Sequence, residues 1–279
     1  MTAPDPRINP YRSEVAAKCL QGKVEAQRFV EGERREVIRA SAPMRSAPTH
    51  EARLATEALM GERVIVYEST EEGWAWGQLE SDGYVGWISA NALAGSGPAP
   101  THKVAALRTL GFPGPDIKLP PAAALPMGAL LAIIRQDDRF AVTPSGLHFP
   151  SMHLAPIKEK KSDFVAIAEL FLGTPYLWGG KTSLGIDCSG LVQAAMQAAG
   201  MACPRDSDMQ EEALGKPSTL AEMRRGDLVF WKGHVAIARN SGSLLHANAH
   251  HMAAAIEPAA GAIARIKAAG SDVSSIKRL

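Results

Sequence analysis

At 279 residues, 46% hydrophobic and 21% charged, the chain is long enough to bury a real core, and one to three domains fit its length. Thirty basic against twenty-nine acidic residues, with no long run of one sign, leave no field for capturing nucleic acid, so no nucleic-acid partner is expected. The opening MTAPDPRINPYRSEVAAKCLQG mixes prolines with both charge signs and has no apolar run, which excludes a secretory signal or a spanning helix there. No membrane insertion is expected, and a cytoplasmic location is the default.

Residues 1–36 carry KVEAQRFV, readable as an extra strand or as an arm packing on the adjoining barrel. Two stretches then resemble each other. LMGERVIVYE (Leu59 to Glu68) leads to GWAWGQL and GYVGWISANAL, and PMGALLAIIR (Pro126 to Arg135) leads to DRFAVTP and LHFPSMHLAP. In each, a Met-Gly turn precedes a short apolar run, and Gly, Asp and Pro punctuate the β-rich pieces, the pattern of small antiparallel barrels. The linker AGSGPAP (Ala94 to Pro100) puts a boundary near residue 97, giving one barrel at 37–97 and another at 98–157.

From residue 158 the hydrophobic period becomes helical. Ser162 is a good N-cap for a helix over about Asp163 to Leu172, with Phe164, Ile167, Ala168 and Phe171 on one face and Gly173 as its stop. A second helix starts near Cys188, where Leu191, Val192, Ala195, Met196 and Ala199 follow helical spacing until Gly200. Strands are expected at Asp227–Trp231, His234–Ala238 and Leu244–Ala249, with SSIKRL as a candidate closing strand. Helices followed by an antiparallel sheet make residues 158–279 an α+β domain.

The three cysteines, Cys19, Cys188 and Cys203, cannot form a disulfide framework and have no zinc-site spacing, so no metal and no cofactor is expected. Cys188 sits in GIDCSGL, where a glycine-bearing loop feeds into the helix start. Unpaired N–H groups and the positive dipole end there favour thiolate and could hydrogen-bond a developing oxyanion. A thiolate nucleophile needs a base, and His234 opens the strand HVAIA on one face of a half-buried sheet.

A third group should orient that ring, and His246 and Asn248 both lie across the turn RNSGS. If Asn240, Ser241 and Gly242 form a three-residue loop with Gly242 left-handed, even-numbered residues of both strands share a face. Asn248 then lies opposite His234, with His246 on the diagonal, and both remain open as orienters. A two-residue loop would turn His246 to the other face.

PYLWGG (Pro175 to Gly180), DCSGL (Asp187 to Leu191), PRDS (Pro204 to Ser207), GDLVFW (Gly226 to Trp231), GHVAI (Gly233 to Ile237) and LLHA (Leu244 to Ala247) together resemble the NlpC-type cell-wall peptidases, a papain-like family of cysteine hydrolases. Six motifs in order cover essentially all of residues 160–279. The resemblance implies Cys188 as nucleophile, His234 as base, His246 as the third polar residue and Tyr176 as a helper of the oxyanion hole. Trp178, Phe230 and Trp231 are read as packing.

GWAWGQLESDGYVGW (Gly73 to Trp87) and TLGFPGPDIK (Thr109 to Lys118) are similar to the bacterial SH3-like barrels that precede this domain in the γ-D-glutamyl-L-diamino acid endopeptidases, also called dipeptidyl-peptidase VI. In that group the first barrel closes one end of the cleft, so that only peptides with a free N-terminal L-alanine fit. By similarity, Asp187, Ser207 and Glu62 would receive the ammonium, and Tyr84 would complete the pocket. A buried ammonium needs such acceptors.

The expectation is a two-barrel, α+β, papain-like cysteine endopeptidase. It would cut the γ-D-glutamyl to diamino acid bond of short L-Ala-γ-D-Glu-diamino acid peptides released from the cell wall. An amidase or acyltransferase using the same Cys-His pair is the nearest alternative, and a non-catalytic module binding wall peptides is another. Nothing in the sequence points to an oligomeric state.

Overall fold

The computed structural model describes residues 4–161 and 163–279. The chain divides into two compact units, Met1–Ile157 and Lys158–Leu279.

In the first unit, strands Leu54–Leu59, Ser41–Arg45, Val85–Ser89, Trp74–Leu79, Arg63–Ser69, Glu33–Val37 and Leu93–Gly95 lie side by side in that order as one curled sheet. Val64 and Val66 point inward with Ala75, Leu79, Met44 and Ile88 to form the core, while Arg63 and Ile65 alternate to the other side. The described part of the arm, residues 4–30, packs on the sheet. Val15–Ala17 pairs in parallel with Arg28–Val30, and Val15 is fully buried in a cluster with Trp74, Trp76 and Trp87. The Arg12 guanidinium lies 4.4 Å from the Trp76 ring centroid and 4.6 Å from that of Trp87.

The second β-body has three small sheets, built from strands between His102 and Pro156. The two Met-Gly turns behave alike. Gly61 and Gly128 both have positive φ, and each donates its N–H to a strand residue upstream, to Val37 O and to Val104 O respectively. A short 3-10 turn, Ala90–Ala92 or Ser151–His153, precedes the last strand in each. The repeat read from the sequence is therefore a repeat of turns, whereas the strand after the second turn is only Leu130–Leu131.

The second unit begins with α1 (Phe164–Glu169), α2 (Cys188–Ala198) and α3 (Ser207–Ala213). Ser162, expected to cap α1, lies outside the described residues; the cap described is Asp163, whose carboxylate accepts from the Ala166 N–H at 3.0 Å. The α-helix also stops at Glu169, earlier than the apolar spacing suggests, and the chain reaches the left-handed Gly173 through a turn. α3 is absent from the sequence reading because its seven residues, SDMQEEA, carry too short an apolar stripe to show a period.

Next come β1 (Lys216–Ser218), β2 (Leu228–Trp231), β3 (His234–Asn240), β4 (Ser243–Asn248), β5 (Ala253–Pro258), α4 (Ala259–Ala268) and β6 (Val273–Arg278). Among the described residues the sheet order is β1-β6-β2-β3-β4-β5, with every pairing antiparallel. The strand from SSIKRL is thus interior, hydrogen-bonded between β1 and β2. Val229, Trp231, Ala236, Ala238 and Leu244 line one face and pack against Ala259 and Ala262 of α4.

Candidate active site

Cys188 is the first residue of α2, and the ends of several loops converge on it. Asp187, in extended backbone, caps the helix by accepting the Gly190 N–H at 2.6 Å. A side chain at Gly190 would come within 2.2 Å of the Gly180 carbonyl oxygen, so the glycine of DCSGL lets the PYLWGG loop lie directly on the first turn. Cys188 is buried, and the neighbouring Val235 and Ser189 backbone N–H groups are among the influences that pull its thiol down. Val235 directly follows His234, which puts the sulfur beside the strand that carries the imidazole.

The helix-start argument for a thiolate is outweighed in the folded protein. Burial, and after it the Asp187 charge, push the Cys188 thiol up to about 12, against the pull of the two backbone N–H groups and Arg205. The reason is the cap itself, since a carboxylate already sits at the positive end of the helix. His234 is pushed down to about 3, first by burial and then by the neighbouring His246 and Arg265. Both shifts favour a neutral thiol beside a neutral imidazole. A base of this kind takes the thiol proton as the sulfur attacks, rather than holding a preformed ion pair.

The His246 ring completes the row: its Nδ1 lies 2.8 Å from His234 Nε2. The hairpin that brings them together differs from the expected one. Asn240 pairs with Ser243, which leaves a two-residue turn, Ser241–Gly242, and Gly242 is not left-handed. A bulge between Ala238 and Asn240 inserts the missing residue, so Ala238 still faces Leu244 and Ile237 still faces Leu245. Parity is restored, and His246 stays on the His234 side. Asn248 is engaged elsewhere: its Nδ2 donates to His246 O, and its Oδ1 accepts from the His251 N–H.

Tyr176 is half-buried, and burial, then Cys188, then Asp187 raise its phenol to about 12. It remains a protonated donor in the electrostatic reach of the nucleophile. Ser207 is buried at the first position of α3.

Asp187, the ammonium acceptor implied by resemblance, is heavily engaged within its own unit. One of its oxygens accepts from Gly190 N, Ser189 Oγ and Arg205 Nη1, and the other from Gly179 N and Arg205 Nη2. Five donors already fill the roughly four lone-pair sites of a carboxylate.

In the first unit, Glu62 is buried in its turn, accepting from the Leu59 N–H at 2.6 Å and from Ser81 Oγ at 2.7 Å. Tyr84 belongs to the barrel core. Trp178 is not packing: it is 65% exposed, unlike the buried Phe230 and Trp231.

Three further residues were not singled out from the sequence. Arg205, 1% exposed, grips Asp187 with both terminal nitrogens and also donates to Ser189 Oγ and Gly180 O. It lies inside the PRDS motif, so the signal was present. Glu257 accepts from His246 Nε2 at 2.7 Å and is held by Arg265 of α4. Neither of these two falls in a motif. Among the described residues no group of three or more His, Cys, Asp or Glu side chains could hold a metal ion, and no helix is long and apolar enough to cross a membrane.

Residues 173–265 match the NlpC/P60 family, and residues 44–93 match the bacterial dipeptidyl-peptidase Sh3 domain. The γ-D-glutamyl-L-lysine dipeptidyl-peptidase of Bacillus subtilis is 32% identical over 219 residues, 68% of this chain and 71% of that protein. Dipeptidyl-peptidase 6 of Lysinibacillus sphaericus is 40% identical over 88 residues, 32% of each chain. The crystal structure of an NlpC/P60 family protein from Bacillus cereus superposes with a TM-score of 0.74 over 88% of this chain and 99% of that one, at 20% identity. That last likeness concerns the fold.

Proposed function

The chain belongs to the NlpC/P60 family of cell-wall peptidases, and from that premise we propose that it hydrolyses the γ-D-glutamyl to diamino acid bond of short wall peptides that begin with a free L-alanine. The observation that carries the reading is the His234–His246 hydrogen bond, which crosses from β3 to β4 next to Val235, the residue whose N–H acts on the Cys188 thiol. Such a row can deprotonate a thiol as it attacks a carbonyl.

In this reading Cys188 Sγ adds to the γ-carbonyl while His234 takes its proton. His234 then delivers that proton to the departing amine, and L-Ala-D-Glu remains as a thioester. Water, deprotonated by the same imidazole, releases the dipeptide and returns the thiol. Tyr176, which stays protonated, donates to the oxygen that becomes negative. His246 orients His234. The amine-binding roles of Ser207, Glu62 and Tyr84 stay in the proposal, with Asp187 contributing through its hold on the first turn of α2. A requirement for a free amino terminus suits released peptides, and so recycling, better than the intact wall.

The test is incubation with L-Ala-γ-D-Glu-L-Lys and with its N-acetylated form, the products being identified by mass. We expect L-Ala-D-Glu and free lysine from the first, and at least a tenfold lower kcat/KM on the second, because acetylation removes the charge and leaves buried acceptors unpaired, at about 1 to 3 kcal/mol each. Cys188→Ala should abolish both. Equal rates on the two peptides would make the protein a general wall endopeptidase.

A further inference from the structure

Beyond Cys188, His234 and His246 lies a fourth group, whose chemistry bears on which nitrogen of His234 is free. Glu257 stands opposite Leu244 in the β4–β5 register, on the diagonal to His246 and on the same face. Its Oε1 lies 2.7 Å from His246 Nε2, and Arg265, in α4, ion-pairs with the same oxygen. His246 itself is fully buried.

A carboxylate only accepts hydrogen bonds, whereas a neutral imidazole donates through one nitrogen and accepts through the other. Burial pushes the Glu257 carboxyl up, but the His246 hydrogen bond and the nearby His246 and Arg265 outweigh it and hold it below the usual carboxylate range. An ionised Glu257 requires the hydrogen of His246 to be on Nε2. The Nδ1 of His246 is then an acceptor, so the hydrogen of His234 must be on its Nε2, 2.8 Å away. One nitrogen of His234 remains, Nδ1, and it carries a lone pair.

We propose that Glu257, held by Arg265, is a positioning residue of the peptidase: through two successive ring hydrogen bonds it sets the tautomers of His246 and His234 and keeps His234 Nδ1 as the proton acceptor. The inference rests on the Cys188–His234 reading. With the opposite tautomer of His246, Nδ1–H would donate to His234 Nε2, the His234 hydrogen would move to Nδ1, and the base would have no lone pair to offer the thiol. A third residue whose oxygen always accepts, such as asparagine, would make Glu257 dispensable. That difference separates tautomer control from a merely structural role.

The experiment compares wild type, Glu257→Leu, His246→Asn and the double variant in two assays: steady-state hydrolysis of L-Ala-γ-D-Glu-L-Lys, and alkylation of Cys188 by iodoacetamide without peptide. Glu257→Leu is expected to lower kcat tenfold or more with KM within twofold, and to slow alkylation in parallel. In the His246→Asn background the same substitution should change both rates less than threefold. Glu257→Gln, which keeps the volume and one acceptor oxygen, should fall between wild type and Glu257→Leu and serves if the leucine variant does not fold. Wild-type rates in these variants, or an undiminished loss in the His246→Asn background, would overturn the proposal. If wild-type Cys188 alkylates no faster than the buried Cys203, the peptidase reading falls and this inference with it, whereas a reactive Cys188 indifferent to Glu257 removes the inference alone.

Discussion

Replacing Arg205 by Met tests whether the first turn of α2 is held by a buried ion pair. The guanidinium is 1% exposed, and its hydrogen bonds include two to Asp187 at 3.0 and 2.8 Å, one to Ser189 Oγ at 2.9 Å and one to Gly180 O at 3.3 Å. Methionine roughly preserves the apolar stem but strands the Asp187 charge with only neutral donors. Breaking one side of a buried pair costs about 3–5 kcal/mol. In a domain of this size that lowers Tm by on the order of 10 °C or more.

The pairing of variants identifies the cause. Asp187→Asn alone takes the paired charge from the arginine, whereas the double variant Arg205→Met/Asp187→Asn leaves no charge of the pair behind and keeps an amide oxygen to cap the helix, losing only the acceptor of the Gly179 N–H. The double variant is therefore expected to be more stable than either single one. Urea unfolding followed by circular dichroism gives the comparison. A cost for Arg205→Met below about 1 kcal/mol, or a double variant weaker than both singles, would refute the buried-pair account.

His234→Ala should lower kcat more than His246→Ala, because the base handles the protons while its neighbour sets geometry, and Asn248→Ala, whose side chain braces the strand end, should cost least; steady-state kinetics on the tripeptide rank the three. Tyr176→Phe should reduce kcat by roughly tenfold or more with little change in KM, since a phenol held protonated acts on charge that appears only in the transition state. Stability should fall with pH below about 6.5: His234 protonates in the unfolded chain near 6.5 but in the folded one only near 3, so across that window the unfolded state binds an extra proton. His246 is shifted in the same direction, also by burial first. Urea midpoints should decline from neutral pH into that window, and His234→Asn/His246→Asn should flatten the decline.

Much of this protein is written locally. The left-handed turns at Gly61 and Gly128, the start of α2 after Asp187 and the alternation in His234–Ala238 follow from residue type and spacing, because a cap, a turn or a period involves neighbours in the chain. The six motifs pointed to Cys188 and His234 through the family resemblance they carry, which is likewise read from runs of neighbouring residues. The parity of the β3–β4 hairpin was expected only for a three-residue loop with a left-handed Gly242, and the structure reaches the same parity through a bulge and a two-residue turn instead.

Tertiary structure alone decided what each charged or polar group is used for. Resemblance casts Asp187 as an ammonium acceptor, and only the fold brings Arg205, from a loop 18 residues away, onto both its oxygens. Glu257 is an ordinary strand acid until the sheet sets it beside His246. Likewise, a helix start favours a thiolate by itself, but burial and the capping carboxylate reverse the balance at Cys188. Local geometry depends on bonded neighbours, whereas hydrogen-bond partners and protonation depend on everything within a few ångströms, and folding chooses those neighbours from the whole chain.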